Sequence, residues 1–175
     1  MEKNTFKKIL FKVAFCAMAS DGKIQDEEIE ELKLIDKHTS YFADIDLSDE
    51  LNQLVKDFQN KGAKVIEELF ELLRNTKLNP VQELLVLEVA LRIISADKKY
   101  DDNEIRFINF LRSKLEIPDE IIKDRFGDLE ILQTNIYSAR NIPEISEKEF
   151  TSNMELPDIK DLKDISLPDE KEKPS

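Results

Sequence analysis

FKVAFCAMASDGKIQDEEIEELKLI, at residues 11–35, has the same pattern as LEVALRIISADKKYDDNEIRFINFL, at residues 87–111. Each stretch holds an apolar helix, a short loop that contains an Asp, and a second helix that starts on acidic residues. Positions that match without a gap include Ala14 and Ala90, Asp21 and Asp97, Asp26 and Asp102, Glu28 and Glu104, and Ile29 and Ile105. Since an internal repeat reflects a repeated structural unit, the sequence predicts a duplicated helix–loop–helix hairpin.

The composition favours helices throughout the rest of the chain. Gly is rare (3 of 175 residues), Trp is absent and charged residues make up 37%, a mixture typical of long helices. Residues 1–140 are therefore predicted to form a single all-α domain. Caps and apolar periodicity predict helices at Thr5–Ala19, Asp26–His38, Lys64–Arg74, Pro80–Ala96 and Asp102–Leu115, one from an N-cap at Ser48 to Asn60, and one from Pro118 to Gly127. Asn79 and Gln82 are predicted to form a capping box at the start of the helix that begins at Pro80, and Glu88 and Arg92 are spaced to pair at i, i+4 within it.

Residues 141–175 are predicted to form an extended, acidic C-terminal arm. They contain four of the six prolines, which oppose a continuous helix. Two interpretations remain open, a solvated tail and an arm that docks in a groove of this domain or of a partner. The second rests on regularly spaced apolar residues, Leu156, Ile159, Leu162, Ile165 and Leu167.

The net charge of −12 makes nucleic acid and anionic membranes poor partners, because both require a basic surface. A basic protein surface is the better candidate partner. The N-terminal segment has two interpretations, a signal peptide ending near Ala17–Ala19 and the first amphipathic helix. The helix is favoured because the segment matches residues 81–96, and no run of apolar residues is long enough for a membrane span. A cytoplasmic location is expected.

The two acidic loops suggest a cation site. Asp21, Gly22 and Glu28 match part of a calcium-binding EF-hand loop, but Ala17 and Ala19 occupy the first two ligand positions, which excludes that motif. If the hairpins pack around a pseudo-twofold axis, the carboxylates of both loops converge. They would suit a divalent metal, whose identity is left open. The candidate ligands are Asp21, Glu28, Asp97 and Glu104.

Helix capping is the alternative role for these acids. Gln25 and Asp101 occupy N-cap positions, and Glu28 and Glu104 lie three residues later, as in a capping box. Catalytic chemistry has less support, since Cys16 is the only cysteine and His38 the only histidine. Neither a conventional Ser-His-Asp triad nor a cofactor motif is recognisable, since the only histidine lies at a polar helix end. The chain is therefore predicted not to be an enzyme.

The stretches MASDGKIQDEE and ISADKKYDDNE resemble the paired A-x-A-D-G-x-I-x-x-x-E motifs of the tellurite-resistance TerB-like family, over about residues 5–127. The family domain is also similar to the N-terminal part of some DnaJ-type co-chaperones. The resemblance implies a bacterial helical protein with a metal-binding acidic cluster and a link to the stress response. The second motif has Lys98 where Gly is usual, beside Lys99. A protein-interaction module without a metal is the alternative function.

Overall fold

The computed structural model describes residues 3–167, and this range contains helices and no strand. The prediction of an all-α fold is confirmed. The helices are α1 (Lys3–Ala19), α2 (Asp26–His38), α3 (Leu47–Lys61), α4 (Lys64–Asn75), α5 (Pro80–Ile94), α6 (Asp102–Ser113), α7 (Asp119–Phe126), α8 (Ile136–Ala139), α9 (Glu147–Ser152) and α10 (Ile159–Lys163). Within the described range, no helix combines the length and the apolar character that a membrane span needs.

The ends of the helices follow local capping chemistry. At the start of α5, the Asn79 side chain accepts from the Gln82 N–H at 2.8 Å and Gln82 accepts from the Asn79 N–H at 2.9 Å, as predicted. The prediction of Ser48 as an N-cap is wrong, because Asp46 holds that position and accepts from the Asp49 N–H at 3.1 Å. Because a carboxylate two residues earlier caps the helix, α3 begins at Leu47, two residues before the expected start.

The core is built around α1 and α5, which pack against each other, while α2 and α6 lie against α5. Both central helices are apolar on most sides. In α5, Val86, Leu87, Val89 and Ala90 are completely buried, which is the environment that a helix of this kind requires. This packing brings the loop that follows α1 and the loop that follows α5 to the same end of the domain.

Replacing Ala90 by Leu is expected to lower the free energy of unfolding by about 1–3 kcal/mol, because the added carbons have no space in a filled core. Ala90 and its repeat counterpart Ala14 are both fully buried. Urea denaturation measures the loss. Ala139→Leu, on the exposed surface of α8, is the matched control and is expected to change the free energy by less than about 0.5 kcal/mol. Equal effects of the two substitutions would contradict this account of the core.

The C-terminal residues that the structure describes pack against the helical body. Phe150 is buried, and its ring centroid lies 5.3 Å from that of Phe110. Leu162, in α10, is completely buried, and α10 packs on α3. The segment is not extended throughout, since α9 and α10 are short helices. Residues 168–175 of the predicted arm lie outside the described residues.

Candidate metal centre

The two acidic loops share one backbone conformation. Asp21 Oδ1 accepts from the Lys23 N–H at 2.9 Å, and Asp97 Oδ1 accepts from the Lys99 N–H at 3.0 Å. The next residue has a positive φ in both loops, +83° at Gly22 and +62° at Lys98. One oxygen of each aspartate thus stabilises a tight turn. Each turn is followed by a helix that starts on acidic residues.

Glu28 and Glu104 lie three residues after their N-cap residues and are almost inaccessible, with exposures of 1% and 3%. Glu28 Oε1 accepts from the Gln25 N–H at 2.9 Å, and Glu104 Oε1 accepts from the Asp101 N–H at 3.1 Å. Asp101 Oδ1 accepts from the Glu104 N–H at 2.7 Å and completes the capping box of α6. Capping therefore accounts for one oxygen of each glutamate.

The second oxygen of Glu28 is not explained by capping. Glu28 Oε2 is buried and has no hydrogen-bond partner among residues 3–167. A buried carboxylate oxygen without a partner is costly, and such an atom calls for a proton or a cation beside it.

Carboxylates from both loops converge at this end of the domain. Asp21, Asp101 and Glu104 each offer one oxygen, and these three atoms lie within 4.8 Å of one another. Three points so placed share a common point at no more than about 2.8 Å (4.8/√3) from each of them. Calcium–oxygen distances in proteins are about 2.3–2.6 Å, and magnesium–oxygen distances are about 2.0–2.1 Å, so both lie within this upper limit. The convergence therefore suits a divalent cation of either size.

The electrostatics of the cluster favour the protonated carboxyl groups when no cation is present. Burial, together with the charges of Asp21, Glu104 and Asp97, raises the pKa of Glu28 to about 9, against the lowering effect of its backbone hydrogen bond. Burial likewise raises the pKa of Glu104 to about 8, with contributions from Asp101, Asp21 and Asp97. Each carboxyl group thus disfavours ionisation of the others.

Lys98 and Lys99 do not neutralise this charge. Both side chains are exposed, and neither forms an ion pair with another residue in the part of the chain that the structure describes. The charges that act on Glu28 and Glu104 come from other carboxylates and raise the pKa of both. The ammonium groups of Lys98 and Lys99 therefore do not satisfy these carboxylates.

The structure places the four predicted residues in one electrostatically coupled region, but only Asp21 and Glu104 belong to the set of three converging oxygens. Asp97 and Glu28 lie outside that set, although their charges act on it. From the sequence, Asp101 was predicted only as an N-cap. The first loop has Gln25 at the equivalent position, so a comparison of the two copies gave no signal for a carboxylate ligand there.

The two other side chains with potential catalytic chemistry are Cys16, which is buried, and His38, which is exposed. Cys16 is completely buried in α1, and burial raises the pKa of its thiol to about 12. A thiol of such a high pKa forms little of the thiolate on which redox chemistry depends. His38 is exposed at the end of α2.

No protein-family model, curated protein or solved structure matches this chain significantly.

Proposed function

We propose that this chain is a non-enzymatic, TerB-like protein that binds one divalent cation between its two acidic loops. The observation that carries the proposal is the convergence of one carboxylate oxygen each from Asp21, Asp101 and Glu104. The buried Glu28 Oε2 supports it, because this atom has no hydrogen-bond partner among the described residues and its carboxylate responds to the charges of Asp21 and Glu104. Asp21, Asp101 and Glu104 would supply the direct ligands. Hard carboxylate oxygens suit Ca²⁺, Mg²⁺ or Mn²⁺, and of these Mg²⁺ loses its hydration water most reluctantly.

A role in the stress response is the physiological part of the proposal, and its support is the resemblance of the two loop motifs to the TerB-like family. The chemistry of the chain favours a sensor or accessory protein over a reductase of toxic oxyanions. Reduction by thiols requires accessible thiolates, and the single cysteine is buried with a strongly raised pKa.

Calorimetric titration of the full chain with Ca²⁺, Mn²⁺, Mg²⁺ and Zn²⁺ tests the proposal. We expect one site per chain for Ca²⁺ or Mn²⁺, with weaker binding of Mg²⁺. Asp21→Asn combined with Asp101→Asn removes two ligand charges from opposite loops and should abolish binding. Asp44→Asn, on an exposed side chain beside Lys7, is the control for loss of one surface charge. Absence of binding at millimolar concentrations of all four ions would contradict the proposal and leave a protein-interaction module as the function.

A further inference from the structure

The C-terminal segment lies directly on the first acidic loop. A β-carbon placed on Gly22 would be 3.0 Å from the carbonyl oxygen of Glu155 and 3.1 Å from its Cβ. Gly22 also has a φ of +83°. The position therefore requires glycine for two reasons, the turn itself and the close approach of Glu155. Its neighbour Asp21 is one of the three converging carboxylates.

Contacts on both sides of Glu155 fix this segment, which we call the strap (residues 151–165). Before Glu155, the buried Thr151 hydroxyl donates to Glu67 Oε1 at 2.6 Å. After it, Leu156 Cδ1 would lie 3.4 Å from a β-carbon on Gly62, and Leu162 is completely buried where α10 packs on α3. Glu155 is thus held against Gly22 from two anchored ends.

The strap gives the two acidic loops different surroundings. The backbone of the second loop has the same turn, with a positive φ at Lys98. Lys98 nevertheless carries an exposed side chain, whereas the strap occupies the space beside Gly22. The loop that contributes Asp21 is therefore restrained by a segment about 130 residues away in the sequence. The loop that contributes Asp101 is held by a different residue, Arg140, whose Nη1 donates to the Tyr100 carbonyl at 3.3 Å.

We infer that docking of the strap and binding of a divalent cation are coupled, an inference that rests on the proposed function. Asp21 is one of the three residues whose carboxylate oxygens converge. Its neighbour Gly22 is in close contact with Glu155. The position of the Asp21 carboxylate relative to Asp101 and Glu104 therefore depends on where the strap holds this loop. A docked strap that positions the loop strengthens binding, and by linkage the cation stabilises the docked strap.

The test combines Ca²⁺ titration by calorimetry with hydrogen exchange of residues 151–165, both on the full chain. Leu162→Ala loosens the strap at a point remote from the loop, and Ile122→Ala is a matched truncation of a buried residue on α7. We expect Leu162→Ala to weaken Ca²⁺ binding by about 5-fold or more and Ile122→Ala to change it by less than 2-fold. In the unsubstituted chain, Ca²⁺ should slow exchange in the strap.

The coupling would be overturned if Leu162→Ala left the Ca²⁺ affinity unchanged, or if Ca²⁺ did not alter the rate of hydrogen exchange in the strap. Either result would leave the metal site in place. Absence of Ca²⁺ binding by the unsubstituted chain would overturn the proposed function as well, so the two failures are distinguishable. If Leu162→Ala does not fold, Gly22→Ala takes its place, with Lys98→Ala at the equivalent position of the second loop as control. Gly22→Ala is expected to accelerate exchange in the strap and to weaken Ca²⁺ binding more than Lys98→Ala does, and equal Ca²⁺ affinities of the two variants would overturn the coupling.

Discussion

Glu28→Gln combined with Glu104→Gln is expected to raise the free energy of unfolding of the cation-free protein, by on the order of 2 kcal/mol at pH 8. Gln retains an oxygen that accepts from the N-cap amide, so the capping boxes survive the substitution. What disappears is the cost of holding two buried carboxyl groups whose pKa values are raised to about 9 and about 8. Urea denaturation in chelator measures the change.

Glu28→Ala combined with Glu104→Ala is the matched comparison for this prediction. These substitutions remove the same charges but also the capping oxygens, which are worth about 0.5–2 kcal/mol each. The alanine protein should therefore be less stable than the glutamine protein. If the glutamine protein is no more stable than the unsubstituted chain at pH 8, the glutamates act as caps alone, and crowding of carboxylates contributes nothing.

The second large expected effect is that the free energy of unfolding depends on pH and that a bound cation opposes this dependence. Because the pKa values of Glu28 and Glu104 are higher in the folded protein than in the unfolded chain, the folded state holds more protons above about pH 5. The free energy of unfolding in chelator should therefore fall as the pH rises from about 5 to about 9. The stabilising contribution of the two protonated glutamates is complete at the acidic end of this range. It is lost as the pH rises through their raised pKa values of about 8 and about 9.

A bound cation should change this profile because it binds the ionised carboxylates. At 100 times its dissociation constant, a ligand specific for the folded state adds about 2.7 kcal/mol. Protons compete with the cation, so the gain from Ca²⁺ should be larger at pH 8 than at pH 6. Thermal denaturation with Ca²⁺ and with chelator at both pH values measures it. A gain from Ca²⁺ that is the same at both pH values would show that the cation binds without displacing protons from Glu28 and Glu104.

Local patterns in the sequence predicted most of the helices, but they do not reveal contacts between residues far apart in the chain. The cap formed by Asn79 and Gln82 depends on residues three apart and was predicted correctly. Glu88 and Arg92 were also suited to pair at i, i+4, but Arg92 Nε donates to Glu31 at 2.8 Å and Glu88 pairs with Arg125. Packing of α2 on α5 offers Arg92 a distant partner that helical spacing does not reveal.

The same distinction applies to the candidate site. The repeat identified Asp21 and Glu104, because identical positions in two loops mark them directly. Asp101 joins them only because the two hairpins bring their loops together in three dimensions. The contact between Glu155 and Gly22 likewise depends on where α10 packs, although the regular spacing of apolar residues in the arm indicated that docking was an alternative.

Anomalous diffraction from a crystal of the full chain grown with Mn²⁺ tests the central claim most directly, since it locates the cation independently of any effect on stability. The account predicts one strong peak between the two acidic loops, with carboxylate oxygens of Asp21, Asp101 and Glu104 within bonding distance of the ion. Ordered carboxylates at full Mn²⁺ saturation with no anomalous peak between these loops would contradict it.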